Sequence, residues 1–179
     1  MVDPTSASLP KPKLAVPSIN QLAQLFTDLG IVPPSAEHPP VYTVEEAAAH
    51  PHGLEGEETK NFFLKDGKGG GLHLVTMRAQ VRVDLKALAP LIGAKKLSFA
   101  SPELLDEVLG VKPGSVSPLC LVNDTEHRVA FAIDRALTEA PRLTCHPLRN
   151  TATVSLAWSE LSRLFAAIGV TPRVLDLPG

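Results

Sequence analysis

The chain has 179 residues, a formal net charge of −2, 44% hydrophobic and 20% charged residues. That length suits one domain with a sizeable core, and the composition is ordinary for a soluble globular fold. A near-neutral balance excludes a bulk field that draws in nucleic acid, so any polyanion contact has to be a local patch, and 4% aromatics argues against rows of stacked rings.

Met1 to Val16 is rich in Pro, Ser and Lys without periodicity, which predicts a flexible tail over 1–16 ahead of a single domain over 17–179. Ser18 and Gln21 form a capping-box pattern for a first helix with Leu22, Leu25, Phe26 and Leu29 on one face and Gly30 at its end. Thr43 and Glu46 repeat the pattern for a short second helix that stops at His50-Pro51. His52 to Thr59 reads as a polar loop. Asn61–Lys65 and Leu72–Met77 flank the Gly-rich turn Asp66–Gly70 and predict a hairpin.

Asp84 caps a third helix that closes at Gly93. Pro90 inside it costs about 3 kcal/mol in a helix interior and predicts a kink or an early stop. Lys96–Ala100 reads as a short strand, and Ser101-Pro102-Glu103 as a strong helix start that ends at Gly110. After the loop Gly114–Pro118, strands are predicted over Leu119–Val122, Arg128–Asp134, Leu143–Leu148, Thr151–Leu156 and Arg173–Leu177, with a helix over Trp158–Ile168 before the last. The mixture predicts an α+β fold with a mixed, mainly antiparallel sheet and surrounding short helices, not a doubly wound one.

Cys120 lies in an apolar run and reads as a buried small hydrophobe; Cys145 and His146 are strand neighbours, which point to opposite faces and make no dyad. His50 and His52 lack carboxylate partners at metal-ligand spacing, and no metal or cofactor is expected. No apolar run reaches membrane-spanning length and the N-terminus lacks a signal-peptide core, so no membrane association and a cytoplasmic location are expected.

The residues left for chemistry are few. Gly114, after Pro113, predicts a tight turn in which Ser115, Val116 and Ser117 show free N–H groups and Pro118 starts the next strand. Such a loop can hold a carbonyl or phosphate oxygen; it can equally be a plain connection. Lys60 and Asn61 stand where a polar loop meets an apolar strand, and Lys60 reads as an anion anchor or a solvated lysine. His146 and Asn150 bracket a turn, with His146 a base, a donor or a packed core residue.

Thr59-Lys60-Asn61-Phe62-Phe63-Leu64-Lys65-Asp66 resembles the signature strand of the YbaK/prolyl-tRNA synthetase-associated editing domains, and Gly114–Pro118 resembles their Gly-x-x-x-Pro loop. Val41–Ala47, Leu97–Ala100, Asn123-Asp124 and His146–Thr153 are similar in order and spacing to the free-standing ProXp-ala (PrdX) deacylases. The resemblance runs from about Ser18 to Leu177, with two departures: Phe62 where Leu is expected, and Pro90 in a helix usually free of it.

What the resemblance implies is trans-editing, the hydrolysis of alanine mistakenly esterified to tRNA(Pro). A site built for proline rejects a smaller residue by only about 1–3 kcal/mol, so a second, smaller pocket is needed to admit alanine and exclude proline. By the same resemblance Lys60 anchors the terminal adenosine and positions the ester. Gly114–Pro118 supplies donors to the carbonyl, with Gly114, Ser115, Val116 and Pro118 at the site. Asn61 and His146 line the aminoacyl pocket, His146 as donor or wall rather than base, and Asn150 is counted with the substrate-binding residues, the alternative being that it only holds the 146–151 turn. The terminal ribose hydroxyl helps activate water, so no protein nucleophile is implied. The implied partners are the acceptor end of tRNA(Pro) and possibly prolyl-tRNA synthetase, the protein acting as a monomer. A basic patch of Lys60, Lys65, Lys68, Lys112 and Arg149 is expected to meet the RNA. The alternatives are an editor of cysteinyl, seryl or threonyl esters on the same fold, a non-catalytic aminoacyl-tRNA or nucleotide-binding module, and a small-molecule binder.

Overall fold

The computed structural model describes residues 19–177. In chain order they form α1 (Ile19–Asp28), β1 (Ser35–Glu37), α2 (Val44–Ala49), β2 (Glu57–Asp66), β3 (Leu72–Arg78), α3 (Leu85–Ile92), β4 (Leu97–Phe99) and α4 (Pro102–Leu109). A 3-10 helix (Pro118–Asn123) follows, then β5 (Val129–Asp134), α5 (Arg135–Glu139), β6 (Leu143–Cys145), β7 (Ala152–Leu156), α6 (Trp158–Ala167) and β8 (Arg173–Leu175). The expected tail over 1–16 and the Ser18 cap lie outside the described residues.

The strands make one mixed sheet in the order β1-β7-β6-β2-β3-β5-β8, with β4 added to β2. Four of its seven pairings are antiparallel and three parallel. Residues alternate in face along a strand. Phe63 and Leu74 therefore point into a large core closed by α1, α4 and α6, while Leu64, Val75 and Met77 point into a smaller one under Leu88 and Ile92 of α3.

The caps fall where the residue types put them. The Thr43 hydroxyl accepts from the Glu46 N–H at 3.1 Å and Glu46 accepts from the Tyr42 N–H at 2.7 Å. Asp84 and Ser101 cap α3 and α4 through Ala87 and Leu104. Pro90 sits in the last turn of α3, which ends two residues later at Ile92, before a left-handed Gly93, so only one helical bond is forfeited. The carboxylate of Asp66 accepts from the N–H groups of Lys95, Lys96 and Lys68 at 2.9–3.0 Å and ties the hairpin turn to β4. Those donors, Lys95 first, hold it well below the usual carboxylate range.

Several expectations are corrected. Leu119–Val122 is not a strand: Pro118 at the first position and the Ser117 side chain on the Leu119 N–H start a 3-10 helix. Leu119, Cys120 and Leu121 are all buried, so no face was left to reveal the period. Strand β5 consequently has no hairpin partner before it; it pairs in parallel with β3 and β8. The loop ending at Thr59 is shorter than expected, since β2 begins at Glu57 to pair with β6. Strand β6 ends at Cys145, and β8 at Leu175. The short elements β1 and α5 were not foreseen.

Candidate active site

Strand β2 is where the sheet opens. On the edge away from β3 it pairs with β6 only at Glu57 and Glu58, and with β4 only from Leu64 to Asp66. Between them the edge is unpaired. The Glu57 N–H donates to Arg142, and the Phe63 carbonyl accepts from the Ala100 N–H, on this same edge. By the antiparallel alternation the main-chain N–H and C=O of Asn61 face the same gap.

Beside the gap lies a cleft with a cavity volume of about 70 Å³, walled by His38, His50, His52, Asn61, Thr144, His146 and Thr153, with Val41, Val44 and Ala47 as its apolar side. Four of the chain's six histidines meet here. The α2 segment that supplies the apolar side buries none of its own residues.

Asn61 is held in one orientation. The buried Thr76 hydroxyl donates to its Oδ1 at 2.6 Å, which leaves the Nδ2 amide to donate toward the cleft. His146 is held as firmly. Its Nδ1 lies 2.8 Å from the Ala152 carbonyl, which can only accept, so Nδ1 carries the proton and Nε2 of the neutral ring is an acceptor. Burial, and then His38 and His52 nearby, lower its pKa below the ordinary 6.5. His146 is thus an acceptor at neutral pH, where a donor or a wall was expected. His38 spends both nitrogens, on Pro39 and on Thr153, each at 2.9 Å.

The turn that presents His146 is braced. Leu148 takes a φ of 66°, uncommon for a residue other than glycine. Arg149 bonds both Glu37 oxygens and the Thr151 hydroxyl. The Asn150 side chain donates to the Val41 carbonyl at 3.1 Å, so Asn150 holds turn and cleft wall together.

The loop Gly114–Pro118 lies behind this wall and does not line the cleft. Gly114 has a φ of 89°, and a Cβ there would stand 3.0 Å from the Tyr42 ring and 3.5 Å from the Val41 carbonyl. The expected row of free N–H groups is corrected: Ser115 donates to the Lys112 carbonyl and Ser117 to the Cys120 sulfur. Only the N–H groups of Gly114 and Val116 carry no such bond. Ser115 and Pro118 are buried, and the Ser117 hydroxyl donates to the His146 carbonyl at 2.6 Å. The loop's visible work is to hold His146 in place.

Lys60 projects from the opposite face of β2 to Asn61. Its ammonium donates to the Val81 carbonyl and lies 5.8 Å from the Phe62 ring centre. Burial, then Arg82, lowers its pKa. The structure therefore brings Asn61 and His146 to one cleft, with Asn150 bracing the Val41 wall from outside it, the Gly114 loop behind and Lys60 across the open edge. Of the expected basic patch, Lys112 is paired with Asp106 at 3.0 Å and Arg149 with Glu37. Burial raises the thiol of Cys145 and pushes that of Cys120 up to about 11, so neither is a nucleophile at neutral pH. Among the described residues no three His, Cys, Asp or Glu side chains are placed to hold a metal ion, and no helix is long and apolar enough to cross a membrane.

Sequence reasoning missed His38, Thr76, Thr144 and Thr153. Thr76 left a signal, a hydroxyl inside the apolar run Leu74-Val75-Thr76-Met77, which needs a buried partner.

A mixed sheet with a small polar cleft at a break in one strand's pairing defines the class, and comparison defines the family. Residues 38–164 match the model of the aminoacyl-tRNA editing domain. A prolyl-tRNA synthetase associated domain-containing protein 1 of Danio rerio is 38% identical over 158 residues, 87% of this chain and 85% of that protein. A prolyl-tRNA editing protein ProX of Acetoanaerobium sticklandii is 37% identical over 141 residues, 79% of this chain and 86% of that one. The fold is that of a crystal structure described as a candidate trans-editing enzyme for prolyl tRNA synthetase, with a TM-score of 0.62 at 24% identity over 90% of this chain and 98% of that one. The chain belongs to the aminoacyl-tRNA editing domain family.

Proposed function

We propose that the protein is a trans-acting aminoacyl-tRNA deacylase that hydrolyses alanyl-tRNA(Pro), residues 17–179 forming one editing domain that works as a cytoplasmic monomer. The observation that carries this is the open edge of β2. It sets Asn61 and His146 around a small cleft on one face and the Lys60 ammonium on the other, so one RNA end can be gripped while its ester enters the cleft. The named relatives support the tRNA(Pro) reading, and the small cavity supports a small amino acid.

The roles follow from the groups available. The Asn61 amide donates to the ester carbonyl, and a preorganised donor of this kind is worth about 3–4 kcal/mol in the transition state. The Gly114–Pro118 loop acts from behind the wall, through the Ser117 hydroxyl that holds the His146 carbonyl. His146 Nε2 accepts a hydrogen bond from the α-ammonium of the aminoacyl group, and the apolar side, Val41, Val44 and Ala47, meets the methyl. Water attacks the ester carbon, and the acyl–oxygen bond breaks to release alanine and the ribose hydroxyl. Lys60 anchors a phosphate or ribose oxygen of the terminal nucleotide.

The chemical step is tested with enzyme far below substrate concentration. Multiple turnovers of alanyl-tRNA(Pro) are expected; binding without release of alanine would establish a non-catalytic module.

The pH dependence has a fixed sign. Below its lowered pKa, His146 becomes a cation facing an ammonium, and binding fails; above it the ring is a neutral acceptor. The kcat/KM, corrected for uncatalysed hydrolysis, is expected to rise with pH through a midpoint below the ordinary 6.5 and then level off. In His146→Gln that step should vanish. A wild-type midpoint at or above 6.5, or a step that His146→Gln keeps, would contradict the assignment.

A further inference from the structure

On the α3 face of β2 lies an aromatic surface that the cleft does not use. Alternation puts Lys60, Phe62 and Leu64 on this face, and the pairing of Leu64 with Phe99 puts Phe99 there too. The Phe62 and Phe99 rings meet edge to face, with centres 5.2 Å apart. Leu88 and Ile92 of α3 cover Leu64, Val75 and Met77, but Phe99 keeps 58% of its surface exposed. Phenylalanine is among the residues most often buried, so an exposed ring beside a second ring calls for an occupant.

The surroundings identify its chemistry. Lys60 stands beside Phe62, and Arg82 is near enough to Lys60 to lower its pKa. Lys95 and Lys96, fixed through their main-chain N–H groups to Asp66, lead into β4, and with Lys86 they line a groove between α3 and β4. Among the described residues none of these five cations makes an ion pair. Of the acids on this side, Asp66 is taken up by main-chain N–H groups, Asp84 caps α3, and Glu58 lines the cleft. Cations around an exposed aromatic face are what a single-stranded nucleic acid needs: phosphates on the charges, a base on the ring.

We propose that Phe99, backed by Phe62, is a stacking platform for an unpaired base of the RNA 3′ tail, with Lys60, Arg82, Lys95 and Lys96 along its phosphates. The platform adjoins the open edge of β2, so a tail lying on it leads over that edge into the cleft. The proposal rests on the reading of a tRNA acceptor end as substrate and adds where its tail is held.

The test is binding of two 5′-labelled, unacylated RNA hairpins carrying the tRNA(Pro) acceptor stem, one ending in single-stranded CCA and one blunt. Phe99→Ala is expected to weaken the tailed hairpin by roughly 5- to 150-fold and the blunt one not at all, the range that stacking of one base spans. Phe99→Trp should restore or tighten tailed binding. Phe99→Ala also removes the edge contact with Phe62, so melting is measured on each variant and the blunt hairpin controls for any loss of fold. Undiminished tailed binding in Phe99→Ala, an equal loss for both hairpins, or a loss confined to association with prolyl-tRNA synthetase would overturn the proposal. Because neither RNA carries an ester, tailed binding that needs Phe99 in a protein that cleaves no alanyl ester would support the platform and remove only the deacylase reading.

Discussion

Lys60→Ala is expected to lower kcat/KM for alanyl-tRNA(Pro) by about 10- to 150-fold, the equivalent of one charge-assisted hydrogen bond of roughly 1.5–3 kcal/mol. The ammonium spends one of its three donors on the Val81 carbonyl and keeps two for the substrate. Lys60→Arg should not restore the rate, because a planar fork cannot replace a compact point charge held between Val81 and the Phe62 ring. The competing role is a latch for the loop at Val81. A latch predicts the reverse: a lower Tm with kcat/KM spared. Measuring both on the same variant separates anchor from latch.

Gly114→Val carries the second large effect. The φ of 89° is a region a β-branched residue resists, at a cost of about 1–3 kcal/mol. In a chain of this length that lowers Tm by about 2–10 °C. The loss of activity should exceed what this strain explains. The new Cβ crowds the Tyr42 ring and already touches the Val41 carbonyl and the Asn150 amide, so the two γ-methyls of valine have to be accommodated against the Val41 wall of the cleft. A misplacement of about 1 Å at a reacting centre can cost about 100-fold, which is the size of loss expected. Tyr42 is 67% exposed and its ring can swing away, so Gly114→Ala should fall well short of this. If Gly114→Val loses activity only in step with the unfolded fraction at the assay temperature, the loop is structural alone.

Much of the fold was legible because it is written locally. The Thr43, Asp84 and Ser101 side chains cap the helices they precede, and Gly93 and Gly110 end theirs in the left-handed conformation. The hairpin at Asp66–Gly70 had a turn between two apolar runs. Elements of three to five residues, β1 and α5, are too short for a period to appear. The run from Pro118 is buried on all sides, so its periodicity carried no information. Parallel pairings such as β3 with β5 join residues more than fifty apart and leave no turn signal.

For the site, alternation alone places Lys60 and Asn61 on opposite faces. What lies on each face depends on where β6 and β4 stop pairing with β2, and no local pattern reports that. The use of the Ser117 N–H depends on a sulfur three residues on, in a helix whose sequence reads as a strand. The proton on His146 depended on the Ala152 carbonyl across the turn. The family resemblance supplied the residues of the site; the folded chain supplies which atoms they have to spare.

The measurement that bears most directly on the central claim is the ratio of kcat/KM for alanyl-tRNA(Pro) to that for prolyl-tRNA(Pro), with cysteinyl-tRNA(Pro) run alongside. A cleft that seats a methyl among Val41, Val44 and Ala47 should release alanine and leave proline esterified. Preferential release of cysteine, or equal release of proline, would contradict it.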